Sequence, residues 1–140
     1  MPKEIAGGFC ARPRDAHKRS VGTVTVVGGS HAFPHAPVIA GLGARSAGAG
    51  LVRLVVPEES RFAAGALLPE ATVSDLGGDI PLSDVTVVGP GLGLGEKAAA
   101  LVRELLSKEG RLVVDADALT HQNPPNRLFF PDLYYFYLDC

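Results

Sequence analysis

Four short runs rich in valine and leucine constrain the fold of this chain more than any other feature of its sequence. They are Thr23–Val27, Leu51–Val56, Val85–Val88 and residues 111–115. Each run is followed at once by glycine, proline or a polar turn, as expected where a buried strand ends. Runs that are apolar on both faces are typical of strands in a parallel sheet.

Helical patterns separate these runs. Residues 37–47 carry Val38, Ile39, Leu42 and Arg45 behind Pro37, while residues 96–107 repeat apolar side chains at helical spacing and keep their charges on the opposite side. A short helix at residues 60–68 and a short strand at residues 71–74 complete the series. The alternation predicts an α/β fold with a mostly parallel sheet and helices on both faces.

Charge and composition exclude several classes of function. Charged residues make up 20% of the chain and its formal net charge is −2, which argues against binding to nucleic acid or to an anionic membrane. No apolar run approaches the ~20 residues that span a bilayer, and the charged residues 1–20 do not resemble a secretory signal. Cys10 and Cys140 show no metal-ligand spacing. We therefore expect a cytoplasmic protein in which these cysteines hold no metal.

Composition also divides the chain into three parts. All 17 glycines lie at or before Gly110, and six of the nine aromatic residues fall within the last twelve positions. The predicted organisation is an N-terminal extension (1–20), a partial α/β domain (21–120) and an atypical aromatic tail (121–140). Pro124, Pro125 and Pro131 oppose regular structure in that tail.

The loop after Val85–Val88 is a candidate anion site. It reads Gly-Pro-Gly-Leu-Gly-Leu-Gly (89–95) and leads into the helix at residues 96–107. Glycines expose backbone N–H groups, and a helix start favours negative charge. The spacing matches neither the dinucleotide fingerprint nor the P-loop, so a simple sharp turn remains an equal alternative.

Two aspartates follow the last strand, Asp115 and Asp117. They are candidates for polar contacts to a ligand, and the alternative is that one of them caps a following helix. The four histidines show no zinc spacing, and each is assigned a surface or structural role. Because ligands of parallel sheets bind at the carboxyl ends of strands, we expect these loops to face one cleft.

Four segments of the sequence resemble those of a known enzyme family. They are HKRSVGTVTVVGGS (17–30), HAPVIAGLGARSAGAGLVRLVVP (35–57), VVGPGLG (87–93) and VVDADAL (113–119). In this order they resemble the N-terminal half of the ADP/ATP-dependent NAD(P)H-hydrate dehydratases. The resemblance implies a ribokinase-like fold that is incomplete at its C-terminal side in this chain.

The resemblance also implies a function and a site. The family repairs hydrated NADH or NADPH, using ADP or ATP as the phosphoryl donor with Mg²⁺, and is expected to act as a homo-oligomer on a small-molecule dinucleotide. By similarity Ala36, Gly91 and Gly93 line the hydrate-binding site, and Asp115 and Asp117 lie near the same cleft.

Departures from the family pattern bear on catalysis. Arg19 replaces the glycine of HKG, and Thr120 replaces the asparagine that usually follows DADAL. The TPHPGE-like segment and the GTGD motif, which supplies the base and the anion hole, are absent from these 140 residues. We therefore assign no catalytic residue and expect a truncated, frameshifted or alternatively ended product. The alternative is that the tail forms a genuine strand on a sheet left open by truncation, which its prolines oppose.

Two alternatives from other classes stay open. One is another ribokinase-like kinase that phosphorylates a sugar or a vitamin alcohol. The other is a non-catalytic piece that binds the dinucleotide.

Overall fold

The computed structural model describes residues 21–81 and 83–121 and confirms the predicted alternation of strands and helices. The strands are β1 (Thr23–Val27), β2 (Leu51–Val56), β3 (Thr72–Asp75), β4 (Val85–Val88) and β5 (Leu112–Val114). The helices are α1 (Ala36–Ser46), α2 (Arg61–Leu67), α3 (Glu96–Leu106) and α4 (Asp117–Thr120), and a 3-10 turn (Glu58–Ser60) precedes α2. The predicted bounds differ from these by one residue at most, and no bounds were predicted for α4 or the 3-10 turn.

The five described strands form one parallel sheet in the order β3-β2-β1-β4-β5. From β1 the chain first builds outward through β2 and β3, and then returns to the other side of β1 as β4. The boundary between β1 and β4 is therefore the switch point of the sheet. In open α/β sheets the crevice outside the carboxyl ends of the strands at this point is the usual ligand site.

One face of the sheet is covered by α1 and α2. Its core joins β1 and β2 to both helices and contains Val26, Val38, Val52, Leu54, Val56, Ala64 and Leu68. Gly41 lets α1 approach closely, because a Cβ at that position would come within 2.9 Å of the Leu54 Cδ2 and 3.1 Å of the Leu68 Cδ2. The small residues of α1 thus pack it tightly against the sheet, as expected. Ile39 and Leu42 on the same helix remain exposed.

The opposite face is covered by α3. Ala98, Val102 and Leu105 lie on its buried side, at the predicted helical spacing. They pack against side chains from β1, β2, β4 and β5 that alternate with those of the first core: Val27, Val55, Val88, Leu112 and Val114. Helices therefore lie on both faces of the sheet, which is the predicted layer arrangement.

Several sequence-based expectations fall outside the described residues. These are the N-terminal extension, the aromatic tail, Cys10 and Cys140. Within the described part, no helix is long and apolar enough to cross a membrane. Arg61, at the start of α2, pairs with Glu58, and this contact raises the pKa of the Arg61 guanidinium above its usual value.

Candidate functional site

Three loops meet at the carboxyl edge of the sheet, as the strand order requires. The loop after β1 contacts the glycine loop (residues 89–95), since the Gly29 N–H donates to the Pro90 carbonyl at 2.9 Å. The Gly89 N–H in turn donates to the Val27 carbonyl at 3.1 Å, and the Asp115 N–H donates to the Val88 carbonyl at 3.0 Å. The structure thus brings together the segments that the sequence predicts to share a cleft.

Ala36 and Gly91 lie against each other across the switch point. Gly91 is buried and has a φ of +63°, a conformation that residues with a Cβ rarely adopt. A Cβ at Gly91 would come within 2.8 Å of both the Ala36 Cβ and the Phe33 Cβ. Only glycine fits there, and a side chain larger than that of Ala36 would press on the loop.

Gly93 occupies a more open position in the same loop. Its φ is +84°, and among the described atoms only the Ser30 Cβ, at 3.8 Å, lies within 4 Å of where a Cβ would stand. Its backbone polar groups are nevertheless engaged. The N–H donates to the Asp117 Oδ2 at 2.8 Å, and the carbonyl oxygen lies 2.8 Å from the His121 Nε2. In this structure the Gly93 N–H therefore already has a hydrogen-bond acceptor.

Gly28 and Gly89 bring backbone against backbone beneath these positions. A Cβ at Gly28 would overlap the Pro90 carbonyl oxygen, and a Cβ at Gly89 would overlap the carbonyl oxygen of Asp115. Both glycines follow a strand directly, so their absent side chains set how closely the three loops approach. The glycines of this region therefore make sharp turns and allow the three loops to approach one another closely.

The Asp115–Asp117 segment has an unusual backbone. Ala116 has φ +47° and ψ −124°, and it is the one non-glycine residue with a positive φ among the described residues. Such strained backbone is maintained only where the surroundings hold it, and it is concentrated at functional sites. Ala116 itself occupies the N-cap position of α4, without a side-chain cap. Instead of capping the helix, Asp117 reaches across to Gly93.

The described residues offer no metal site. No group of three histidine, cysteine, aspartate or glutamate side chains in residues 21–81 and 83–121 is arranged to hold an ion. Asp117 is already hydrogen-bonded to a backbone amide. We therefore assign none of the described residues to the Mg²⁺ that the resemblance implies.

A concavity lies at the opposite end of the sheet from these loops. It has a volume of about 330 Å³ and is lined by Arg45, Gly50, Leu51, Val52, Leu68, Glu70 and Ala71. Arg45 and Glu70 pair at its rim, and both side chains are largely exposed. An exposed ion pair of this kind is weak and gives no chemical reason for a ligand. The loop cluster at the carboxyl edge remains the candidate site.

Comparison with known proteins shows which family this chain is similar to. Residues 24–132 match the family model of NAD(P)H-hydrate dehydratase. The chain is 43% identical over 126 residues to the bifunctional NAD(P)H-hydrate repair enzyme Nnr of Gloeobacter violaceus, covering 81% of this chain and 25% of that protein. It is 37% identical over 117 residues to the ADP-dependent (S)-NAD(P)H-hydrate dehydratase of Lactococcus lactis, covering 78% and 42%.

Solved structures agree with this match. The ADP/ATP-dependent NAD(P)H-hydrate dehydratase from Bacillus subtilis, co-crystallized with ATP and Mg²⁺, superposes with a TM-score of 0.80 at 25% identity. The alignment covers 96% of this chain and 50% of that one. A ribokinase-like superfamily protein from Enterococcus faecalis gives 0.77 at 27% identity, covering 86% and 46%. The fold is ribokinase-like, and the chain spans half or less of the length of these relatives.

Proposed function

Because this chain belongs to the NAD(P)H-hydrate dehydratase family, we propose that its loop cluster binds the hydrated nicotinamide dinucleotide for repair in the cytoplasm. In that reaction the terminal phosphoryl group of ADP or ATP passes to the hydroxyl of the hydrate, and the bond to the nucleotide breaks. The new phosphate ester then leaves as phosphate, and a proton is lost from the neighbouring carbon. The usable NADH or NADPH is restored.

One observation carries the proposal. Ala36, at the start of α1, is far in the sequence from Gly91 and Gly93, yet it lies against the glycine loop at the switch point. Small residues at that edge let a flat ring system lie close to the backbone. We propose that Ala36 and Gly93 make van der Waals contacts with the dinucleotide. Gly91 is buried and is therefore not proposed as a direct contact, and the Gly93 N–H already has an acceptor.

We propose different roles for Asp115 and Asp117. Asp115 is half-buried and directly follows β5, and we propose it as the better candidate for a polar contact to a ligand hydroxyl. Asp117 acts on the protein instead, through its contact with Gly93. Neither is proposed as a catalytic residue, because the base and the anion hole of the family belong to motifs that these 140 residues do not contain.

Isothermal titration calorimetry with NADPH and with its hydrate tests the binding step. Gly93→Asn is the preferred variant, since asparagine tolerates a positive φ better than other residues with a side chain. We expect at least a tenfold loss of affinity in Gly93→Asn, and a larger one in Gly93→Val. Gly43→Ala is the matched control, because a Cβ at Gly43 meets nothing within 4 Å. Unchanged affinity in a folded Gly93→Asn protein would remove this residue from the site.

A turnover assay tests the catalytic step. Loss of one oxyanion donor alone costs about 10²–10³ in rate, so a chain without the base and the anion hole should be far slower than its relatives. We expect no ADP- or ATP-dependent consumption of NAD(P)H hydrate by the purified 140-residue chain. Turnover that disappears in Gly91→Val would show that this chain is active and that the activity is not a host contaminant.

A further inference from the structure

Two side chains hold Gly93, one on each of its backbone polar groups. Asp117 accepts a hydrogen bond from its N–H, and the His121 Nε2 lies 2.8 Å from its carbonyl oxygen. A carbonyl oxygen can only accept, so the His121 ring carries a proton on Nε2 and donates it. Both contacts are partly buried, and they reach across 24 and 28 positions of sequence.

The two side chains act as a pair because of where they lie. Asp117 opens α4 and His121 directly follows its last residue. Residues four positions apart lie on the same side of a helix, so both side chains face the glycine loop. Ala116, with its positive φ, directly precedes Asp117 at the start of α4. The end of β5 is in this way joined to the loop that follows β4.

Gly93 needs such a contact more than its neighbour Gly91 does. Gly91 is wedged between Ala36 and Phe33, so packing alone fixes its position. Around Gly93 the described structure is open, and one atom, the Ser30 Cβ, approaches within 4 Å of its Cβ direction. Hydrogen bonds therefore fix the position of Gly93, whereas steric contacts fix that of Gly91.

We propose that Asp117 and His121 are positioning residues of the dinucleotide site, which fix Gly93 and thereby the glycine loop before the ligand arrives. The inference rests on the proposed function, since a ligand at this loop is what makes its fixed shape useful. A loop that is already ordered loses less conformational freedom on binding, which raises affinity without any new contact. Because both side chains act on one residue, the effects of removing them should not add.

Amide hydrogen exchange of Gly93 in the ligand-free 140-residue chain tests the contact directly. We expect Asp117→Ala to speed this exchange at least tenfold, because it removes the acceptor of the Gly93 N–H. His121→Ala should speed it less, and His121→Gln, which keeps an N–H donor, should restore part of the protection. Thr120→Ala is the control, since this exposed residue lies on the same helix between the two. Unchanged Gly93 exchange in a folded Asp117→Ala protein overturns the inference.

Calorimetry with NADPH on the same proteins tests the consequence for binding. We expect about a tenfold loss of affinity in Asp117→Ala, as for one charge-assisted hydrogen bond, and a smaller loss in His121→Ala. The double variant should lose less than the product of the two. A variant that frees the Gly93 amide yet binds NADPH as the wild type does would overturn the positioning role.

The two readouts separate failure of this inference from failure of the proposed function. If the wild-type chain does not bind NADPH or its hydrate, the proposed function fails, and the positioning role fails with it. In that case Gly93 exchange still responds to Asp117→Ala. If the wild type binds, but neither Gly93 exchange nor affinity changes in Asp117→Ala and His121→Ala, only the positioning role is wrong.

Discussion

Val26 and Val87 are neighbours in the register of β1 and β4 and point to the same face of the sheet, yet their surroundings differ. Val26 is fully buried beneath α1, together with Val38 and Leu54. Val87 is only half-buried, as is Val113 beyond it on β5. Among the described residues, the helices on this face extend over β1, β2 and β3 and leave β4 and β5 partly uncovered.

The contrast shows that the two halves of the sheet are secured in different ways. Side-chain packing on both faces secures β1 and β2, whereas β4 and β5 are fully packed on one face and also meet their neighbours through backbone contacts at their loop ends. Gly89 against the Asp115 carbonyl is the tightest example of such a contact. The candidate site is therefore built from the parts of the chain where glycine, rather than a large apolar side chain, decides the geometry.

The largest effect on stability is expected at Gly89. With a φ of +125° and the Asp115 carbonyl oxygen in the path of any Cβ, Gly89→Ala must shift β5 or its loop. We expect the free energy of unfolding to fall by more than about 3 kcal/mol, as for other strained or overpacked backbone positions. Urea denaturation followed by circular dichroism measures it.

Gly43→Ala serves as the control for this prediction. It introduces the same methyl group on a regular turn of α1 with open space around it, and should leave stability unchanged or raise it by up to about 1 kcal/mol. Equal effects in the two variants would mean that the backbone contact at Gly89 is not what secures β4 and β5.

Val26→Ala and Val87→Ala test the comparison of the two halves directly. The removed atoms are the same, so burial alone separates the two variants. We expect a loss of about 2 kcal/mol for Val26→Ala, from lost transfer free energy and an unfilled cavity, and less than about 1 kcal/mol for Val87→Ala. Equal losses in urea denaturation would show that something outside the described residues covers Val87.

Much of the fold could be predicted from local pattern. The runs of valine and leucine placed β1, β2 and β4 at their observed bounds, because a buried strand needs consecutive apolar residues and a turn residue after it. The helices α1, α2 and α3 were predicted to within about a residue, since helix ends depend on the last hydrogen bond rather than on side-chain type. The parallel sheet followed from the alternation.

The site could be predicted only in part. Strand order explains why the loops carrying Ala36, Gly91 and Asp115 share an edge, and this much followed from the α/β class. The role of Asp117 could not be predicted. The sequence indicated either helix capping or ligand contact, whereas in the structure Asp117 accepts a hydrogen bond from the Gly93 N–H. Nor did local pattern pair His121 with a loop 28 positions away.

A substitution at Ala116 is expected to raise the free energy of unfolding, by less than the valine substitution at position 26 lowers it. Its φ of +47° costs about 1–3 kcal/mol of strain, which glycine avoids, while glycine gives the unfolded chain about 0.5–1 kcal/mol more freedom. We expect Ala116→Gly to raise the free energy of unfolding by about 1 kcal/mol. Ala100→Gly, on the exposed side of α3, should lower it by about as much. A destabilised Ala116→Gly protein would mean that the backbone there is not strained.

The smallest effect is expected from deleting residues 124–140, which lie outside the described part of the chain. This segment carries six aromatic side chains, each able to bury about 150–250 Å² if it packs. If it covered the half-buried Val87 and Val113, its removal would lower the melting temperature by many degrees. Pro124, Pro125 and Pro131 oppose a continuous strand there, since proline cannot donate to a sheet ladder. We therefore expect almost no change in circular dichroism or melting temperature and better solubility, because exposed aromatic runs promote association. A large drop in melting temperature would instead show that β4 and β5 are covered by the end of their own chain, and the contrast between the two halves of the sheet would then disappear.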